Sequence, residues 1–117
     1  MGLDLRLLPF DCDNGDFAYS HTILSCDRDS QLFDAIRELN QLSVTGRFYT
    51  FTGRQEGFED VCYGNTQKTP YGEPVKFAIA GDLYRCFRNS GGTGVNSAIR
   101  AYLQCLEPQT KVALYWH

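Results

Sequence analysis

The segment Cys62–Pro74, CYGNTQKTPYGEP, limits what this chain can fold into more than any other stretch. Between Tyr63-Gly64 and Tyr71-Gly72 it carries only polar side chains and one proline. No helical or alternating period of apolar positions runs through it, so it can bury no face as helix or strand. It reads as a long surface loop in which glycines permit tight turns and tyrosines offer rings to pack or display.

The rest of the chain has enough apolar material to make a core. At 117 residues there is room for one domain, spanning 1–117, and 43% of the residues are hydrophobic. A core of that size needs neither a metal nor a disulfide to hold it. The five cysteines, at 12, 26, 62, 86 and 105, include no C-x-x-C pair and read as reduced thiols. With His21 and His117 the only histidines, a zinc site is not expected, and no cofactor is implied. The net charge is −3, and the 11 basic residues are scattered, which argues against a nucleic-acid partner. No apolar run approaches the roughly 20 residues of a membrane span, and the start MGLDLR lacks a signal-peptide pattern. A cytoplasmic protein is the expectation.

Taken in order, Leu3–Leu8 alternates as a strand, with Leu3, Leu5 and Leu7 on one face. The run Asp11–Asp16 is an acidic turn. Its spacing fails the calcium-loop pattern, because Gly15 falls where that loop needs an oxygen ligand and Thr22 where it needs a glutamate. Phe17–Cys26 reads as one strand, with Tyr19, His21 and Ile23 sharing a face. Asp27 to Ser30 offers capping oxygens to a helix whose stripe is Leu32, Phe33, Ile36 and Leu39. Leu42–Thr52 reads as a third strand with Gly46 as the candidate position for a bulge, and Phe58–Tyr63 as its hairpin partner.

The spacing of Val75, Ile79, Leu83 and Cys86 predicts a helix opened by Pro74. The alternative is a short strand, Val75–Ile79, broken at Gly81 before a helix from Asp82 to Phe87; the helical reading is preferred. Asn89–Gly94 is glycine-rich but lacks the features of a phosphate loop. A last helix follows, with Thr93 as cap and Val95, Ala98, Ile99, Tyr102, Leu103 and Leu106 as its apolar stripe. Thr110–Trp116 closes the chain as an interior strand, with Val112, Leu114 and Trp116 on one face and Lys111, Ala113 and Tyr115 on the other.

Few residues carry a chemical signature. His21 and His117 are the acid/base candidates, since imidazole titrates near neutrality. Cys26 stands near a helix start, where the dipole lowers a thiol pKa. Its sequence parity with His21 works against a Cys/His pair, and no nucleophile elbow is present. The loop carries more. Asn65, Thr66 and Thr69 supply neutral donors and acceptors, and Tyr63 and Tyr71 supply flat amphipathic rings, a composition that suits contact surfaces.

Four stretches together resemble a family of small uncharacterised bacteriophage and prophage proteins. They are the start MGLDLRLLPFD, the segment YSHTILSC, the loop YGNTQKTPYGEP and the ending KVALYWH. The resemblance implies a bacterial host cytoplasm and carries over no catalytic residue.

The expectation is therefore an α+β domain: a mainly antiparallel sheet of four to five strands, packed by about three helices. Its leading function is non-catalytic capture of a host or phage protein through Tyr63–Pro74. The alternative is a small-ligand or nucleotide-binding domain with His21, Asn65 and tyrosines lining the pocket; a small hydrolase using His21 or His117 ranks third. A second copy of the chain is a further candidate to cover a doubly apolar strand or an open sheet edge.

Overall fold

The computed structural model describes residues 4–44, 47–54, 61–65, 68–69, 71–90 and 94–117, with 51–54 and 61–65 described as backbone alone. Its centre is the C-terminal strand. In chain order the strands are β1 (Leu5–Pro9), β2 (Cys12–Asp13), β3 (Phe17–Ser20), β4 (Leu24–Ser25), β5 (Leu42–Ser43), β6 (Arg47–Arg54), β7 (Val61–Asn65), β8 (Lys76–Ile79) and β9 (Lys111–Trp116). The helices are α1 (Ser30–Arg37), α2 (Ala80–Ser90) and α3 (Val95–Cys105).

The larger sheet runs β4-β1-β9-β8-β5 with every pair antiparallel, so β9 lies third of five. An interior strand must satisfy two apolar layers, and the period of two gives β9 both faces. Val112, Leu114 and Trp116 pack with the helices, while Ala113 and Tyr115 pack toward a second sheet. β1 behaves the same way, sending Leu5 and Leu7 to the helices and Leu8 to the other side. The second sheet runs β2-β3-β6-β7, with β3 and β6 parallel. The molecule is thus three layers: helices, five-stranded sheet and four-stranded sheet. The α+β class, the antiparallel sheet and the three helices are as the sequence predicts; the second sheet is additional.

Two expected strands are each divided between the sheets. Phe17–Cys26 becomes β3 in the small sheet and β4 in the large one, and Leu42–Thr52 becomes β5 in the large sheet and β6 in the small one. At the first crossing the Ser20 hydroxyl donates to the Thr22 carbonyl at 3.0 Å, satisfying backbone where pairing stops. Gly46 and residues 58–60 lie outside the described residues; the bulge of β6 falls between Phe51 and Gly53. The expected hairpin is present as β6–β7.

The preferred helix from Pro74 is not formed. Lys76–Ile79 pairs with β9 as a strand, and α2 begins directly at Ala80. The first helical amides find partners outside the helix: Ala80 N–H donates to Thr110 O at 2.8 Å and Gly81 N–H to Pro108 O at 3.0 Å. A Cβ on Gly81 would stand 3.2 Å from the Pro108 Cβ, so glycine permits this close crossing of the α3–β9 connection.

α1 follows the sequence closely. The Asp29 carboxylate accepts from Leu32 N–H at 3.1 Å, and Leu32, Phe33 and Ile36 are buried. α3 is rotated from expectation. Its buried face is Asn96, Ile99 and Leu103, whereas Val95 and Tyr102 face solvent. Its cap position is Gly94, with no capping side chain, and Thr93 lies outside the described residues.

Candidate binding face

The outer face of the small sheet is built by simple alternation. In β3, Ala18 and Ser20 are buried against the large sheet, and Phe17 and Tyr19 point away from it. In β6, Phe48 and Thr50 are buried, and Arg47 and Tyr49 alternate with them. The parallel register sets Phe17 beside Arg47 and Tyr19 beside Tyr49. The next strand places Asn65 across from Tyr49 and Tyr63 across from Phe51. Tyr19, Tyr49 and Asn65 therefore occupy one row across three strands.

Along β3 the rings form a file. Phe17 and Tyr19 lie 6.4 Å apart between centroids at 17°, and Tyr19 and His21 lie 5.2 Å apart at 86°. The file continues past the end of β3 because His21 N–H donates to Asp11 Oδ2 at 2.5 Å, while Asp11 N–H donates to Tyr19 O at 2.9 Å. Offset and edge-on ring contacts of this kind hold an aromatic surface in one arrangement before anything binds it.

The acidic turn is a frame for this face. Asn14 Oδ1 accepts from Asp16 N–H and Phe17 N–H, both at 3.0 Å, and Asp13 Oδ1 accepts from Gly15 N–H at 3.2 Å. Lys111 Nζ lies 2.7 Å from Asp13 Oδ2, tying the turn to β9, and sits 5.1 Å above the Phe77 ring. The lysine's hydrogen bond holds the Asp13 carboxyl below its ordinary value of 3.8, against the opposing effect of partial burial. A depressed folded pKa gives stability that is complete above the unfolded value and lost as pH falls through the folded one. Lys111→Met is therefore expected to destabilise the protein at pH 7 by up to about 1 kcal/mol, as for exposed pairs. The difference from wild type should shrink below about pH 4. Urea titrations at pH 7 and pH 3.5 read it.

The loop divides into a strand and a turn. Tyr63 to Asn65 belong to β7, correcting the expectation that the loop begins at Tyr63. Thr66 lies outside the described residues. Lys68 and Pro74 then bridge, Thr69 N–H donates to Glu73 O at 2.8 Å, and Gly72 N–H donates to Thr69 O at 2.9 Å. Gly72 has φ 80°, a left-handed conformation that suits glycine. The buried Thr69 hydroxyl accepts from Tyr71 N–H at 3.3 Å, so Thr69 serves the turn, while Tyr71 is 53% exposed at its tip.

The structure brings His21, Tyr19, Tyr49 and the backbone of Tyr63 and Asn65 together, and leaves His117 apart. His117 continues the pairing of β1 with β9: its N–H donates to Asp4 O at 2.9 Å, and Asp4 N–H donates back to its carbonyl at 2.8 Å. The Asp4 carboxylate beside it is held bidentately by Arg28 at 2.7 and 3.1 Å. That hydrogen bond is the main cause of a lowered Asp4 pKa. The carboxylate at each histidine is thus already engaged, Asp4 by Arg28 and Asp11 by the His21 amide.

Cys26 is the reverse of an activated thiol. Burial, reinforced by Asp27, pushes it up to about 12, overriding the helix dipole expected from sequence. Among the described residues no group of three or more His, Cys, Asp or Glu side chains is placed to hold a metal ion. No helix of the described residues is long and apolar enough to cross a membrane.

What sequence reasoning missed were Phe17 and Tyr49 as members of the face. The odd-numbered alternation of Phe17, Tyr19 and His21 was visible, but the pairing of β3 with β6 links residues about 30 apart and leaves no local trace. Comparison with protein-family models, curated proteins and solved structures gave no match.

Proposed function

We propose that this protein is a non-catalytic binding module that captures a protein partner with the outer face of its small sheet and the Tyr71 turn that follows β7 in the chain. The observation that carries this reading is the ring file Phe17–Tyr19–His21, set in register with Tyr49 and Asn65. Tyrosine suits such a surface because it adds large amphipathic area with few rotors to immobilise. The hydrogen-bonded turns at Asp13–Phe17 and Thr69–Glu73 reduce the ordering cost of binding. The sequence resemblance suggests the partner's source, a host or phage protein in a bacterial cytoplasm.

A second reading uses the same face. Flat rings flanked by His21 and the Asn65 position also suit a planar small ligand such as a nucleotide base.

Tyr19→Ala with Tyr71→Ala tests the first reading. If the two act as hot spots, partner affinity measured by calorimetry falls by at least about 30-fold while the thermal unfolding of the variant stays close to wild type. A partner held equally by the variant overturns the assignment of the surface. Stabilisation of the wild type by a nucleotide in thermal-shift measurements, lost in Tyr19→Ala, would favour the second reading instead.

A further inference from the structure

Of the asparagines at 14, 40, 65, 89 and 96, only Asn14 precedes a glycine. An asparagine–glycine pair is the sequence most open to deamidation. With no side chain on the second residue, its backbone nitrogen can close on the asparagine Cγ as a five-membered succinimide. Asn14 and Gly15 are both exposed, and a Cβ built on Gly15 meets nothing within 4 Å. Sterically the ring is free to form, and water is at hand to open it.

What restrains it is hydrogen bonding. The Gly15 nitrogen must lose its proton to attack, and that N–H is donated to Asp13 Oδ1 at 3.2 Å. A carboxylate acceptor holds the proton in place and disfavours negative charge on the nitrogen behind it. The Asp13 carboxyl, held below its ordinary value by Lys111, is too weak a base to take the proton itself. The electrophile is set the other way. Asn14 Oδ1 accepts from Asp16 N–H and Phe17 N–H, both at 3.0 Å. Two amides on one carbonyl oxygen are the arrangement that stabilises the oxyanion of an acyl-transfer intermediate. The turn primes the carbon and withholds the nitrogen.

We propose that Asn14–Gly15 is a site of spontaneous deamidation that the folded chain keeps shut through the hydrogen bond from Gly15 to Asp13. When that bond opens, the Gly15 nitrogen passes its proton to water and bonds to Asn14 Cγ. The bond from Cγ to Nδ2 breaks, and Nδ2 leaves as ammonia with a proton taken from solvent. Water then adds to either ring carbonyl. Opening at Cγ leaves an ordinary aspartate at position 14; opening at the backbone carbonyl carbon leaves isoaspartate, whose chain runs on through the former side chain. Either product is one unit more negative. The isoaspartate adds a methylene to the backbone between β2 and β3. The bond from Asn14 N–H to Phe17 O, 3.2 Å, and the two bonds to Oδ1 then cannot all reform. Phe17 is the first ring of the file, so this product loosens one end of the aromatic face.

Wild type, Asp13→Ala and Lys111→Met are held in mildly alkaline buffer, and deamidation at position 14 is followed by peptide mapping with mass spectrometry. Asp13→Ala is expected to deamidate about tenfold faster than wild type, the effect of one charge-assisted hydrogen bond. Should it fold poorly, Asp13→Asn keeps an oxygen for the Gly15 amide without the charge and should be faster than wild type by a smaller factor. Lys111→Met frees Asp13 from β9 but leaves its carboxylate on Gly15, so its rate should stay within about twofold of wild type. Native-state exchange reads the restraint directly, and the Gly15 amide should exchange faster in Asp13→Ala than in wild type. Wild type unfolded in urea should deamidate at Asn14 at least about tenfold faster than the folded protein. Equal rates in folded and unfolded wild type overturn the proposal, as do both Asp13 variants at the wild-type rate. Lys111→Met as fast as Asp13→Ala would place the restraint in the anchoring of the turn to β9 and overturn it too.

Discussion

Phe48→Ala is expected to lower the unfolding free energy by about 3–5 kcal/mol, a large share of the 5–15 kcal/mol of an ordinary domain. Phe48 is fully buried, at the seam where the small sheet meets the large one. Its ring stacks on Phe10 at 4.9 Å and 29°, and Phe10 in turn lies 5.9 Å from Phe77. The buried residues around it are Leu8, Ala18, Val75 and Ala113. Two of these are alanines on paired backbone, which cannot move in to fill the space, so the cavity should persist. Phe48→Leu keeps most of the volume and should cost about 1–1.5 kcal/mol. Urea denaturation reads both values. Amide exchange in β3 and β6 should accelerate in Phe48→Ala more than exchange in β1 and β9, because the small sheet hangs on this contact. Since Tyr19 and Tyr49 are held on the reverse side of the same two strands, partner capture should weaken with it. A loss below about 1 kcal/mol would mean that the two sheets are joined by something other than this ring.

The seam also explains which parts of the fold were legible in the sequence. β9 could be read because a strand buried on both faces declares both in its own alternation, from Val112 and Leu114 to Ala113 and Tyr115. α1 could be read because its cap and stripe are local. The two strand crossings could not, and the reason is phase. Ala18 and Leu24 share parity, yet Ala18 packs between the sheets and Leu24 against the helix core; Leu42, Phe48 and Thr50 share parity, yet Leu42 belongs to β5 of the large sheet and Phe48 and Thr50 to β6 of the small one. Alternation that stays in step through a crossing looks like one strand, since parity records which face is covered and not what covers it. The Val75–Cys86 stretch failed differently. Val75 packs on the small-sheet side, while Leu83 and Cys86 pack among the helices, so residues spaced like one helical stripe serve two layers. The candidate face follows the same rule: its members on β3 were visible as an alternating run, but their partners on β6 and β7 depend on register.

α3 has two apolar stripes, and periodicity alone could not choose between them; a polar residue decided it. Asn96 is only 4% exposed, and its amide spans both backbone groups of one distant residue. Oδ1 accepts from Asp27 N–H at 2.8 Å, and Nδ2 donates to Asp27 O at 3.1 Å. This clasp fixes the rotation of α3 on the segment leading into α1. Asn96→Ala removes two hydrogen bonds and is expected to cost about 2 kcal/mol at any pH. Asn96→Asp is expected to cost more at pH 7, about 3 kcal/mol, although it differs by one atom. The introduced carboxylate can accept from the Asp27 amide, but its second oxygen then faces the Asp27 carbonyl with no proton between them. The Asp27 side chain adds a like charge nearby. Its protonated form can donate to that carbonyl, so folding raises the pKa of the new group above the unfolded value of about 3.9. A raised folded pKa in an acid means that stability is lost as pH rises from the unfolded value through the folded one. The Asn96→Asp deficit relative to wild type should therefore shrink as pH falls from 7 toward 4, while the Asn96→Ala deficit stays constant. Denaturant titrations of the three proteins at pH 7, 5.5 and 4.5 give the comparison. If Asn96→Asp matches or exceeds the stability of Asn96→Ala at pH 7, the amide donor to Asp27 is not what holds α3 in place.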